Sequence, residues 1–124
     1  MKRKDRPRAK PGVFLPRYTE ESERFEFSTY RIDGLGESEV WRIGAKHIEP
    51  RIRRVIPARC DLLAVDYIEQ GLVLEFDNIP ERHVNVVDWP SETEAQISLA
   101  LELVSIVDEQ GGFHDNPGYQ RRSG

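Results

Sequence analysis

His83, Asn85 and Trp89 stand at alternate positions in the stretch RHVNVVDWP. On a strand, that spacing places all three side chains on one face. An imidazole and a carboxamide side by side can orient a ligand or a proton donor. With Asp88 between them and the ring of Trp89 as a wall, they form the densest polar and aromatic cluster in the chain. The stretch also reads as an ordinary strand, with Trp89 packed beneath the following helix and Asp88 holding nearby backbone donors.

Cys60 precedes Asp61 where a helix is expected to begin, and a helix N-terminus lowers a thiol pKa. A nucleophilic cysteine also needs a base, which here would be His83 or His47 folding against it. A small buried apolar residue is the simpler reading. His47, His83 and His114 lack the close ligand pair usual in zinc sites. Glu20, Glu21, Glu23 and Glu26 lack the glycine-turn spacing of a calcium loop. No metal or other cofactor is therefore expected, and the chemistry leans away from an enzyme.

Charge is split along the chain. Lys2, Arg3, Lys4, Arg6, Arg8, Lys10 and Arg17 face a single acid, Asp5, within residues 1–17. Arg51, Arg53, Arg54 and Arg59 form a second basic group, whereas residues 60–110 hold twelve acids and only Arg82 as a base. The basic groups suit phosphate contact. Arg51, Arg53 and Arg54 beside Tyr30 and Trp41 would resemble a sheet face that stacks on single strands. Alternation opposes this, because on a strand Arg53 and Arg54 point to opposite sides.

The elements that must position these residues follow from periodicity. Residues 25–32 and 39–48 read as a hairpin, with Trp41, Ile43 and Ala45 alternating inward. Residues 51–58 read as a third strand that Glu49-Pro50 separates from the second. Asp61 is placed to cap a helix over 62–70, which Gly71 ends. Strands over 72–76 and 83–89 follow. Ser91 and Glu94 form an S-x-x-E capping box before a helix that Gly111-Gly112 stops. Residues 19–23 suit a short helical turn.

The prediction is an α+β fold, β-β-β-α-β-β-α, with a mostly antiparallel sheet and two helices packed on one face. Hydrophobic residues make up 38% of the 124, but they concentrate in one stretch. The organisation expected is a basic, flexible N-terminal arm over 1–24, one domain over 25–110, and a flexible tail over 111–124.

The last helix carries two apolar stripes, the second made of Leu99, Leu103 and Ile106. One sheet covers one stripe, so the second needs another helix or another chain; the first helix is short, which makes a homodimer or a hetero-partner the expectation. The leading expectation is thus a small non-enzymatic interaction or accessory protein acting through a protein partner or as a homodimer. One alternative is a nucleic-acid accessory protein using the arm and the 51–59 arginines. The other is an enzyme or ligand-binding domain with its site at His83, Asn85 and Trp89. No apolar run approaches the roughly 18 residues of a membrane span, and no apolar stretch follows the N-terminal charges. The cytoplasm is the expected location.

Overall fold

Aromatic and β-branched residues fill the stretch RFEFSTY, and it forms the longest strand of the chain. In the computed structural model, which describes residues 10–119, this is β2 (Arg24–Tyr30), and a short β1 (Arg17–Thr19) precedes it. Residues 19–23 close a tight turn between the two, with the Glu23 N–H donating to the Thr19 carbonyl at 2.8 Å. That i+4 to i bond makes a single helical turn, as expected.

β2 pairs on its other side with β5 (His83–Val87), and β5 pairs with β4 (Val73–Glu75). All pairings are antiparallel, and the strand order is β1-β2-β5-β4. The register sets Phe27 opposite Val86 and Leu74 opposite the same valine. These three share the face that packs on α3 (Ala64–Glu69) and α4 (Thr93–Gln110). The α+β class, the antiparallel sheet and the two helices on one face are therefore present.

Two expected strands take another form, and both expected helix caps differ. Residues 39–48 do not pair with β2 as a strand. They lie in α1 (Glu37–Ile43) and a π-helical turn (Gly44–Ile48), which run into α2 (Glu49–Ile52). Beside the alternating set, Val40, Gly44 and Ile48 recur at four-residue spacing, one face of a helix. Glu37 and Glu39 sit in the first turn, where acids complement the helix dipole, and the Glu39 carboxylate accepts the Gly36 N–H. Pro50 does not interrupt the chain, because the first helical turn has no use for its missing N–H.

Residues 51–58 are likewise not a strand. Arg53 turns left-handed at φ +59° and ends α2, leaving only β3 (Ala58–Cys60) extended. Nor does α3 use Asp61 as its cap. The Leu63 N–H donates to Asp66 Oδ2 at 2.9 Å, while Asp61 accepts from Arg59. In α4 the chain stays extended through Glu92, so the Ser91 box does not form. Instead the Gln96 amide reaches back to the Pro90 carbonyl at 2.7 Å.

The expected domain limits also move outward at both ends. Phe14, in a 3-10 turn (Pro11–Phe14), is only 2% exposed and packs against Phe27 with ring centroids 5.9 Å apart. After Gly111 the chain forms β6 (Phe113–Asp115), which pairs with β3 in a second sheet. Gly112 is needed at that junction, because a Cβ there would overlap the Asp61 carbonyl. The core between sheet and helices holds Phe14, Val86, Ala100, Leu103 and Val107, all essentially solvent-free.

Candidate functional site

The cluster predicted around β5 divides into two parts. His83 and Asn85 share the sheet face away from the core, opposite Tyr30 and Ser28 respectively. They are 9% and 8% exposed, so this face is covered rather than washed by solvent. Trp89 lies on the other side. Asp88 adopts φ +71°, which breaks the alternation and turns the indole into the core. There Nε1 donates to the Val86 carbonyl at 2.9 Å, and the ring meets Phe27 edge-on. The expected one-face trio is therefore corrected to a pair plus a core tryptophan.

His83 heads a chain of contacts. Its Nδ1 lies 2.7 Å from Asp77 Oδ1. An ionised carboxylate only accepts, so Nδ1 carries the proton and donates. Partial desolvation works against the charge of Asp77, but the His83 hydrogen bond and the Ile79 N–H outweigh it and hold the carboxyl below its ordinary pKa. The Tyr30 ring meets His83 edge-on at 5.3 Å, and His47 stacks on Tyr30 at 5.8 Å. Burial raises the Tyr30 hydroxyl above its usual pKa. Glu81 approaches His47 Nε2 at 3.8 Å. An aspartate that fixes a histidine tautomer is the orienting half of a general base, but the partners that surround His83 are a carboxylate and an aromatic ring.

Asn85 belongs to a second network on the same face. Arg24 donates from Nε to Glu26 at 2.8 Å and from both terminal nitrogens to Glu75 at 2.6 and 3.1 Å. Hydrogen bonding from Arg24, joined by the amide of Asn85, lowers the Glu26 pKa. The Asn85 Oδ1 is buried without a hydrogen-bond partner among the described residues.

Where β5 ends, the surface opens into a groove of about 570 Å³. Tyr18, Phe25 and Trp89 give it aromatic walls, and Glu23, Asp88 and Val73 also line it. Glu23 has a left-handed backbone, φ +56°, as Asp88 does. Asp88 and Trp89 were legible as site candidates in the sequence. Tyr18, Glu23 and Val73 were not, because the register of three separate strands brings them here.

No family model matches the sequence, and no curated protein or solved structure matches it either.

The remaining candidates are dispersed. Cys60 lies on β3 rather than at a helix start, and desolvation pushes its thiol pKa up to about 11, with Asp61 and Asp108 adding to the effect. That is the reverse of activation. Among the described residues no three His, Cys, Asp or Glu side chains group as metal ligands. Lys2, Arg3, Lys4, Arg6 and Arg8 lie outside the described residues, and Lys10 is exposed.

Arg51, Arg53 and Arg54 are exposed on α2 and the turn after it, so they do not join Tyr30 and Trp41 on a sheet face. Arg59 is taken up by Glu37 and Asp61 and lies over the Trp41 ring at 4.8 Å. Of the expected interface stripe, Leu103 is 0% exposed and faces the core, with Leu99 and Ile106 half-buried beside it. Leu103 and Leu99 pack in the core cluster with Phe14, Tyr67 and Val86. Among the described residues no helix is long and apolar enough to cross a membrane.

Proposed function

We propose that this chain is a non-enzymatic interaction protein that binds another protein chain, through the edge formed by α3 and β4. The observation that carries this is the exposure of Leu63, Val65, Ile68, Val73, Phe76 and Ile79. These are six of the twelve large apolar side chains exposed among the described residues, and they fall within one short segment. β4 is also an outer strand of the sheet, so among the described residues its outward backbone groups have no strand beside them. An open edge with apolar side chains beside it suits strand addition, in which main-chain hydrogen bonds supply affinity and side-chain pockets supply specificity. Scattered exposed apolar residues are normal on a protein surface, but six within residues 63–79 support an interaction surface here.

A photo-reactive phenylalanine analogue placed at Ile68 or Phe76 tests this in the cells that make the protein. Adducts to a second polypeptide, either a copy or a different chain, are expected from these two positions. None are expected from Glu102, on the exposed side of α4. Equal labelling from Glu102, or no adduct from any position in cells or in concentrated purified protein, overturns the reading.

A further inference from the structure

We infer that the groove at the end of the sheet receives a lysine or arginine side chain from the segment that binds along β4. This rests on the partner-binding reading and adds the chemistry of the partner.

Among the described residues the charges in the groove are not balanced. Arg24 reaches its rim but is held by Glu26 and Glu75. Glu23 and Asp88 also line it, and neither carboxylate has a hydrogen-bond or ion-pair partner among the described residues. Two uncompensated carboxylates favour a cation and repel an anion. The walls favour a cation of a particular shape. Tyr18 and Phe25 meet edge to face at 5.3 Å, and Trp89 completes the aromatic lining. Aromatic faces attract cations, and they cover the apolar stem of a lysine or arginine whose head reaches the carboxylates. A neutral apolar side chain would use the walls and leave the carboxylates unpaired.

The position of the groove connects it to the partner edge. Val73 is the first residue of β4, is exposed, and lines the groove. A segment added along β4 therefore passes the groove mouth as it reaches the start of that strand. The groove volume of about 570 Å³ is ample for one long side chain.

The test is an NMR titration of the full chain with acetyl-Val-Lys-Val-amide, its norleucine counterpart and free cadaverine. The lysine peptide is expected to shift the Trp89 indole N–H and the amides of Glu23 and Asp88, with shifts that weaken as salt is added. The norleucine peptide is expected to leave the Glu23 and Asp88 amides in place. Glu23→Gln with Asp88→Asn is expected to abolish the response while keeping the thermal midpoint, since asparagine tolerates the left-handed backbone that Asp88 has. If that variant does not fold, the salt series on the natural chain decides the matter. Equal shifts from the norleucine peptide, or none from the lysine peptide, overturn the inference. A response to cadaverine that matches the peptide also overturns it, because the groove would then select a free amine. Adducts at Ile68 and Phe76 combined with a silent groove would remove this inference and leave the partner edge standing.

Discussion

Arg24 and Glu75 belong to strands that do not pair with each other, yet their side chains meet across β5 in two hydrogen bonds of 2.6 and 3.1 Å. Glu26 joins from the other side at 2.8 Å, so one guanidinium bridges two carboxylates over the face that carries Asn85. A planar fork with fixed donors suits this arrangement, and the flexible ammonium of a lysine does not.

Replacing Arg24 with methionine should lower the urea midpoint at neutral pH and flatten its dependence on acid. Hydrogen bonds, chiefly from Arg24, depress the Glu26 pKa in the folded protein. A depressed folded value means stability that is full above the unfolded carboxylate pKa and is lost as pH falls through the folded one. The natural chain should therefore lose stability on that acid limb, and Arg24→Met should lose less of it. Arg24→Lys should fall between the two. Urea melts taken from neutral pH down through the carboxylate range check this, and an unchanged acid limb in Arg24→Met would remove Arg24 as its source.

Asp77→Ala should destabilise by about 1–3 kcal/mol, the usual cost of leaving a buried donor unsatisfied. The Nδ1–H of His83 would lose its acceptor on a side chain that is largely buried, and the Ile79 N–H would lose the same carboxylate. Asp77→Asn keeps an acceptor oxygen and should cost less. Chemical denaturation gives the two differences. A proton NMR signal from His83 Nδ1–H, present in the natural chain and absent in Asp77→Ala, would tie the loss to this bond.

The half of the fold on the core side was legible because burial there leaves a regular mark. Leu72, Leu74 and Val86 alternate, and Ala100, Leu103 and Val107 repeat at helical spacing, as one-sided packing requires. The stretch 39–48 was not legible for the same reason. Trp41, Ile43 and Ala45 fit a two-residue period, while Val40, Gly44 and Ile48 fit a helical one, and both patterns are written in the same ten residues. In the site, the shared face of His83 and Asn85 followed from spacing alone. The separation of Trp89 did not, since it depends on the left-handed backbone at Asp88, and aspartate visits that region without announcing it.

Cys60 should react slowly with iodoacetamide at neutral pH. Only the thiolate attacks, and a pKa of about 11 leaves very little of it. The rate should climb about tenfold per pH unit until that value is approached, as long as the fold holds. In denaturant the thiol should react at the rate of an ordinary cysteine, so the ratio of the two rates reports how far β3 shields it. Fast labelling of the folded chain at neutral pH would contradict the burial of this thiol.

Leu103 and Leu101 lie two residues apart on α4 and should respond in opposite ways. Leu103 is fully buried between the sheet and the helices, while Leu101 is 51% exposed. Leu103→Ala removes buried methyl groups and leaves a cavity, at a cost of about 2–5 kcal/mol. For a domain whose whole stability is about 5–15 kcal/mol, that is a large share. Leu101→Ser alters a surface position and should stay within about 0.5 kcal/mol. Neither residue is one of the exposed side chains of the α3–β4 edge, so in a variant that remains folded neither should reduce adducts from Ile68 or Phe76. Denaturation midpoints and crosslinking yields measured on the same two variants separate core from interface. A folded Leu103→Ala chain with normal stability and lost adducts would move the partner surface from the α3–β4 edge onto α4.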